Sequence, residues 1–407
     1  MTLTIALRNV LRQRSRALLT LASVGLGVAS LMLAAGFIDD VLWQLREATI
    51  RSQIGHFEVF AAGYIEGGRT DPLAHTIDDP ARVVAELRRI KGVSVVAPRL
   101  TMSGLASNGR ADVAVVIEGV EPAAEARIGE AVSIVGGRAL STPVGNQAPP
   151  VVAGEGLARS LKLGVDDPVT LLVSTKQGAL NTLDAALAGV FRSPFKDYDD
   201  RALRITLRDA QSLASADAVN AIAVLLDRDA DVDDAVREAR RVLPSAQYDV
   251  RPWWELADFY QGTASLYRRE FLVLLVIVSL MVLLGVANSI NMSLHERQAE
   301  FGTVRALGYG PDAVFRQVLV ESAVLGIAGV IVGLVVGAIV ALVVSAIGIR
   351  MPPPPNSSVG YVVRIGFSGW GIALACAAAL VASIVGAIVP ARRLTRMPIV
   401  DALRHAV

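Results

Sequence analysis

The 407-residue sequence has few of the side chains that form disulfides or bind metal ions through nitrogen or sulfur. Its one cysteine, Cys376, lies inside an apolar run, so no disulfide can form within a single chain. The four histidines are far apart in sequence and match no spaced metal-ligand motif. There is no Gly-Lys dipeptide, and therefore no nucleotide-binding P-loop. If this protein does work, we expect the energy to come from a partner.

Charge is also unevenly distributed. The formal net charge of +1 gives no general case for nucleic-acid binding. Most charged residues lie in the middle of the chain, whereas long uncharged runs occupy the N-terminal part and the last third. Because no charge falls at the centre of these runs, the sequence shows no proton relay or ion site within them.

Four of these runs are long enough to cross a membrane. A hydrocarbon core of about 30 Å requires roughly 20 apolar residues in a helix. The sequence predicts transmembrane helices at 17–38, 271–290, 322–349 and 367–389. The first run could alternatively be a cleaved signal peptide, but it is longer than the usual apolar region of such a peptide.

Basic residues in the short flanking segments indicate the orientation. They are concentrated in the N-terminal tail, between the second and third spans, and in the C-terminal tail. We therefore expect both termini to be cytoplasmic. The predicted soluble parts are an amphipathic cytoplasmic helix at 1–16, an extracytoplasmic (periplasmic) domain at 39–268, a cytoplasmic coupling segment at 291–317, an extracytoplasmic loop at 350–366 and a cytoplasmic tail at 390–407.

The predicted fold is an α-helical membrane protein with a mixed α/β domain inserted between the first two of four transmembrane helices. Short β-like runs such as Ala221–Leu226 alternate with helical runs in residues 39–268. Asp79 and Pro80 predict a capped helix start. The many carboxylates are expected on helix faces and in turns, without a catalytic constellation. A helix is expected to start at Pro252-Trp253 and continue into the second span.

Two segments of the membrane portion have a recognisable pattern. Four glycines at close helical spacing in the third span predict a flat helix-packing face; they are Gly326, Gly329, Gly333 and Gly337. The stretch His295–Gly308 predicts a short amphipathic helix that presents Phe301, Val304 and Leu307 to a partner. A solvated loop helix would give much the same pattern.

The second of these segments resembles the signature of a known family. Glu296-Arg297, followed by Glu300-Phe301-Gly302-Thr303-Val304-Arg305-Ala306-Leu307-Gly308, is similar to the E-R-x-x-E-I-G-x-x-R-A-L-G motif of the FtsX/MacB-type ABC permeases. Further similarities lie around Arg8, at Glu321 with Gly326 and Gly329, and from Pro390 to Arg404. Phe301 stands where the family usually has Ile or Val, and Asp401 where Glu is common.

This resemblance implies a mechanotransmission permease, closest in layout to the lipoprotein-releasing LolC/LolE type. Such permeases dimerise, as homo- or heterodimers, and bind two separate ATPase subunits, which hold the ATP and Mg. The chain itself would bind no cofactor or metal and would have no catalytic residue. By residue match, the ATPase-coupling residues are Glu296, Arg297, Glu300, Phe301, Gly302, Arg305, Ala306, Leu307 and Gly308.

The resemblance also implies a location and a cargo. We expect a multi-pass protein of the bacterial inner membrane that extracts or exports lipoprotein or lipid-like cargo, with a possible periplasmic carrier or adaptor and with membrane lipid as partners. The alternatives are a MacB-like tripartite efflux permease and an FtsX-like regulator of a cell-wall hydrolase. A membrane-anchored extracellular enzyme would need a catalytic pocket in 39–268, which the sequence does not display.

Overall fold

The computed structural model describes residues 14–68, 71–142, 148–227, 232–353 and 357–398. The chain divides into two compact units. The first comprises the described residues of 1–43, 263–350 and 362–407, and the second those of 44–262 and 351–361. Most of the predicted amphipathic helix at 1–16 and the end of the predicted tail at 390–407 lie outside the described residues.

The helices are numbered in chain order. They are α1 (Arg14–Thr49), α2 (Pro80–Leu87), α3 (Pro122–Ile128), α4 (Glu155–Ser160), α5 (Lys196–Asp199), α6 (Leu207–Ala214), α7 (Val232–Val242), α8 (Trp253–Leu256), α9 (Asp258–Glu296), α10 (Gln298–Ala306), α11 (Pro311–Ile347) and α12 (Gly369–Arg396). One π-helical turn, Ile50–Ile54, directly follows α1, and another is formed by Tyr64–Gly68.

Within the described residues, four helices are long and apolar enough to cross a membrane. They are α1, α9, α11 and α12, and the mixed α/β unit lies between the first and the later three. This confirms the predicted fold class. Helix α12 continues through Pro390 to Arg396. Pro390 and Ala391 are buried, and a neighbouring helix packed there can compensate for the missing backbone donor.

The helix expected to run from Trp253 into the second span is in fact two helices. Helix α8 ends at Leu256, because Ala257 leaves helical geometry with φ −92° and ψ 70°. Helix α9 then starts at Asp258 and continues without interruption to Glu296. The expectation of one continuous helix from Trp253 was therefore wrong. The helix that contains the second span begins at Asp258, after a break at Ala257.

The strands are β1 (Phe57–Ala61), β2 (Val93–Ser107), β3 (Asp112–Val120), β4 (Ser133–Gly137), β5 (Pro150–Gly154), β6 (Pro168–Ser174), β7 (Leu180–Arg192), β8 (Ala202–Thr206), β9 (Ala221–Leu226), β10 (Tyr248–Pro252), β11 (Arg350–Met351) and β12 (Tyr361–Val362). The first ten form one sheet in the order β10-β1-β9-β2-β3-β8-β5-β7-β4, with β6 paired to β2 and β7. The β3–β8 and β5–β7 pairs are parallel, and the other pairs are antiparallel.

The apolar runs in the sequence explain where the sheet is buried. Strand β9 is buried at every position, in keeping with its lack of polar residues. Helices α2 and α7 pack with β1, β9 and β10 around one hydrophobic core, and α4 and α6 pack with β2, β3, β5, β6, β7 and β8 around another. The cap predicted at the start of α2 is present, since the Asp79 carboxylate accepts from the Arg82 N–H at 3.2 Å.

Part of the predicted loop at 350–366 packs on the α/β unit. The Ser358 hydroxyl donates to the Asp199 carboxylate at 3.0 Å, and the Ser358 N–H donates to the Pro194 carbonyl at 3.1 Å. The Ser193 N–H also donates to Asp199 at 3.0 Å. Burial raises the pKa of Asp199, although these hydrogen bonds oppose the rise. Residues 357–358 therefore belong to the α/β unit despite their distance in sequence.

Candidate coupling site

The segment predicted to contact an ATPase forms a separate short helix. Helix α9 ends at Glu296, and Arg297 breaks the helical run with φ −104° and ψ 13° before α10 begins at Gln298. No proline or glycine marks this break in the sequence. The break redirects the chain, so that α10 is an independent element joined to α9 by a single residue.

Arg297 fixes the start of α10 to the third apolar helix. Its guanidinium donates to the carboxylate of Glu321 on α11 at 3.0 Å and to that of Glu300 at 3.1 Å. The same group lies 4.9 Å from the centre of the Phe301 ring. Arg297 is only 9% exposed, so its ion pair with Glu321 is shielded from water. The planar guanidinium group also makes this contact directional.

Phe301 and Gly302 face the interior of the bundle. Phe301 is buried in a cluster that includes Val314 and Leu394, from α11 and α12. The expectation that Phe301 and Leu307 share one partner-facing apolar side was therefore wrong. The two side chains point to different surroundings, because Leu307 is 76% exposed.

The end of α10 is a Schellman motif. Gly308 has φ +94°, its N–H donates to the Arg305 carbonyl at 3.1 Å, and the Tyr309 N–H donates to the Val304 carbonyl at 3.3 Å. The Arg305 guanidinium donates to the carbonyl of Met397, just after α12, at 2.7 Å. The helix is thus anchored at its start, its middle and its end.

Five of the nine predicted coupling residues are exposed, while Arg297, Phe301 and Gly302 are buried and Arg305 is half-buried. The exposed residues are Glu296, Glu300, Ala306, Leu307, Gly308 and the neighbouring Tyr309. Three residues of this arrangement were absent from the predicted set, namely Glu321, Met397 and Tyr309. Glu321 could have been found, since it is an acid at the edge of an apolar run. Met397 takes part through its backbone, which leaves no signal in the sequence.

The four glycines of the third span are buried against other helices of the same chain. The close pairs are Gly326 with Ser383, Gly329 with Val24, Gly333 with Gly25 and Val28, and Gly337 with Ala29 and Met32. A Cβ atom on Gly333 would lie 2.6 Å from the Gly25 carbonyl oxygen. This proximity requires glycine, because the backbones of α1 and α11 approach closely there.

The α/β unit contains a buried ionic cluster that the sequence did not predict. The Arg99 guanidinium donates to Glu125 at 2.9 Å and lies 3.5 Å from Glu58. The Arg204 guanidinium donates to Glu118 at 3.2 Å and lies 3.1 Å from Glu125. These carboxylates were expected on helix faces and in turns. The tertiary fold buries them because they come from β1, β3 and α3 and meet between two arginines.

The carboxyl groups of this cluster respond differently to burial. Burial raises the pKa of Glu58 to about 7, although Arg99 opposes the rise. Burial also disfavours the ionised form of Glu125, but Arg99 and Arg204 outweigh it and lower the pKa of that group. Burial raises the pKa of the Tyr198 phenol, which donates to Glu118. Glu125 therefore carries the charge that balances the two guanidinium groups most directly.

Among the described residues, no group of three or more His, Cys, Asp or Glu side chains is arranged to hold a metal ion. The chemistry of both sites is that of ion pairs and helix ends. Such contacts hold side chains and helices in fixed positions.

The family follows from two matches. The MacB-like periplasmic core domain model matches residues 17–242, which is more than half of the chain, and the FtsX-like permease C-terminal model matches residues 272–399. The chain therefore belongs to the FtsX/MacB-type family of ABC transporter permeases. This confirms the family inferred from the residues around Glu300.

Individual relatives agree with this assignment. The chain is 22% identical over 411 residues to the lipoprotein-releasing system transmembrane protein LolC of Neisseria meningitidis, covering 95% of this chain and 94% of that one. It is 22% identical over 326 residues to LolE of Haemophilus influenzae, covering 77% and 74%. With its four apolar helices, the chain is a membrane permease of the LolC, LolE, MacB and FtsX type.

Two solved structures are similar to about half of this chain. The periplasmic region of MacB from Actinobacillus actinomycetemcomitans matches with a TM-score of 0.39 and 13% identity, covering 55% of this chain and 98% of that one. The extracellular domain of YknZ, from Gram-positive bacteria, matches with a TM-score of 0.35 and 14% identity, covering 48% and 98%.

Proposed function

We propose that this chain is the non-catalytic permease subunit of an ABC transporter whose ATP hydrolysis takes place in two separate P-loop ATPase subunits. Those subunits would bind the ATP and Mg and would dock on the exposed end of α10. The observation that carries the proposal is the geometry of this helix. It is held at three points to α11 and α12, while Leu307 and Tyr309 project from it.

A helix held in this way can pass on a displacement. If an ATPase moves the exposed end of α10, the contact between Arg297 and Glu321 carries that movement to α11. The contact between Arg305 and the Met397 carbonyl carries it to the end of α12. A solvated loop helix would have no reason to bury an arginine and a phenylalanine.

The proposed cargo is lipoprotein or lipid-like material of the bacterial inner membrane. This rests on the likeness to LolC, whose name describes a lipoprotein-releasing system and which aligns over nearly the full length of both chains. The proposed topology has both termini and the segment 291–317 in the cytoplasm, with 39–268 and 350–366 outside. A second permease chain would complete the complex.

A single substitution tests the docking. Leu307→Asp places a charge on the exposed end of α10 without removing an internal contact, and Leu180→Asp is its matched control, because Leu180 is 75% exposed in the other unit. The tagged permease is purified from host membranes, and the bound ATPase is identified by its P-loop peptide and its ATP hydrolysis. We expect Leu307→Asp, but not Leu180→Asp, to lose the ATPase. Equal ATPase recovery from both would refute docking at α10.

A second experiment distinguishes the possible cargoes. The permease–ATPase complex is reconstituted in vesicles with an acylated lipoprotein, and ATP-dependent release to a soluble carrier is measured. Release supports extraction. The match to the MacB-like periplasmic core favours efflux as the second candidate. ATP-dependent stimulation only by a periplasmic adaptor would favour that candidate, and stimulation of a cell-wall hydrolase would favour an FtsX-like regulator.

A further inference from the structure

We propose that Arg99 and Arg204 form a rigid joint that transmits movement of helix α1 to the sheet of the α/β unit. This inference rests on the proposed function, since it assumes that ATP hydrolysis moves the membrane helices. It assigns a positioning role to two residues far in sequence from α1 and from the segment of α10.

The joint is built on the end of α1. The helix ends at Thr49 and continues as the π-helical turn Ile50–Ile54, which is within the α/β unit. The end of a helix leaves carbonyl groups without intrahelical donors, and it carries a partial negative charge. The two arginines supply the donors. Arg99 donates to the Gln53 carbonyl, and Arg204 donates to the Ser52 carbonyl at 3.4 Å.

Each arginine is itself held on several sides. Glu125 lies between the two guanidinium groups, with one oxygen 2.9 Å from Arg99 and the other 3.1 Å from Arg204. Glu58 binds the far side of Arg99, and Glu118 the far side of Arg204. All five side chains are at most 15% exposed. Long flexible side chains held in this way have no freedom to absorb a displacement of the carbonyls that they bind.

The origin of these side chains determines which strands would move. Arg99 is on β2, Arg204 on β8, Glu58 on β1 and Glu118 on β3. In the sheet order, β1 lies two positions from β2 on one side, and β8 lies two positions from β2 on the other. A shift of the turn after α1 is therefore distributed across much of the sheet rather than bending one strand.

Packing alone would not require this arrangement. Ile50 is fully buried in an apolar cluster with Trp253 and Ala223, which already attaches the turn to the sheet. Burying ionic groups carries a large desolvation penalty, and apolar residues of similar volume often stabilise a fold equally well. An apolar contact allows sliding, whereas directional hydrogen bonds from a planar guanidinium resist it. Resistance to sliding is the property that a transmitting joint needs.

The test follows movement by hydrogen–deuterium exchange in the full permease–ATPase complex, compared without nucleotide and with ATP and vanadate. In the unsubstituted complex we expect nucleotide-dependent changes both in residues 44–54 and in β2 and β8. In the Arg99→Met/Arg204→Met variant we expect the changes in 44–49 to persist and those in the two strands to be lost. If the two arginines only stabilised the fold, their replacement would alter exchange in β2 and β8 equally without nucleotide and with ATP and vanadate.

The matched control is Arg138→Met/Arg159→Met, which removes two exposed, ion-paired arginines of the same unit. This control should behave like the unsubstituted complex. If the double Met variant does not fold, Arg99→Lys keeps the charge but loses the fork, and should weaken the strand response in part.

The two levels of the proposal fail in different ways. If the strands of the folded variants respond to nucleotide as strongly as before, the joint is refuted and the proposed function stands. If the unsubstituted complex shows no nucleotide-dependent change in either region, both the proposed function and the joint are refuted.

Discussion

Arg297 and Glu321 are 24 residues apart in sequence, and their side chains form an ion pair of 3.0 Å between α10 and the first part of α11. Both side chains are less than 15% exposed. The pair therefore joins the segment proposed to meet an ATPase to a helix that is apolar enough to cross a membrane.

Removing one partner of this pair should destabilise the protein and uncouple α10 from α11. Arg297→Ala removes the cation that pairs with the largely shielded Glu321 carboxylate, and the loss of one partner of a buried ion pair typically costs about 3–5 kcal/mol. We expect a lower melting temperature of the purified permease and a loss of cargo-dependent stimulation of the ATPase. Tryptophan fluorescence on heating, together with ATPase assays, measures both.

The matched variant is Arg297→Met/Glu321→Met, which removes both charges. It should recover much of the stability lost in Arg297→Ala but not the stimulation, because the directional contact is missing. Equal melting temperatures for the single and double variants would contradict the expected recovery of stability.

Gly308→Ala should destabilise the end of α10 through backbone strain alone. Gly308 has φ +94°, and a Cβ atom there would meet nothing within 4 Å. A side chain in left-handed geometry costs roughly 1–2 kcal/mol. Gly310→Ala is the control, because Gly310 has φ −65° and equally open surroundings. We expect only Gly308→Ala to reduce ATPase recovery. The same recovery from both variants would show that the Schellman motif at the end of α10 is not needed for docking.

Gly333→Ala should force α1 and α11 apart. The added Cβ would lie 2.6 Å from the Gly25 carbonyl oxygen and 2.7 Å from Val28 Cβ, and backbone cannot move aside as a flexible side chain can. Overpacking of this kind costs roughly 1–3 kcal/mol. Gly369→Ala, at the start of α12, meets nothing within 4 Å and serves as the control. We expect a lower melting temperature only for Gly333→Ala, and an unchanged one would disprove the close approach.

Glu58→Gln should change how stability depends on pH. Burial raises the pKa of Glu58 from 4.5 to about 7 in the folded protein. The folded state therefore binds the proton more tightly than the unfolded state. The resulting stability is fully present below pH 4.5, decreases between pH 4.5 and pH 7, and is lost above pH 7.

The magnitude of this effect is roughly 3 kcal/mol, from about 1.4 kcal/mol per pKa unit. Glutamine does not ionise, so the melting temperature of Glu58→Gln minus that of the unsubstituted protein should rise from pH 5 to pH 8. Taking the difference at each pH removes the contribution of other groups. A difference that stays constant or falls with pH would show that Glu58 does not carry this proton.

The local chemistry of the sequence predicted several elements correctly. Strand β9 and the cap at Asp79 follow from short-range patterns, since an uncharged run must be buried and a carboxylate before proline caps a helix start. The four apolar helices follow from length and composition in the same way. The break at Ala257 was missed, because no proline or glycine marks it.

The sequence by itself determined the membrane-spanning runs, the inserted α/β domain and the motif around Glu300, because each depends on residues close together in the chain. Only the tertiary structure decided which motif residues stay exposed, and that Glu321 neutralises Arg297. The tertiary structure also placed Arg99 and Arg204 against the backbone carbonyl groups of Gln53 and Ser52, just after α1. Charges in a sequence look alike whether solvated or buried, and only long-range strand and helix packing removes particular ones from water.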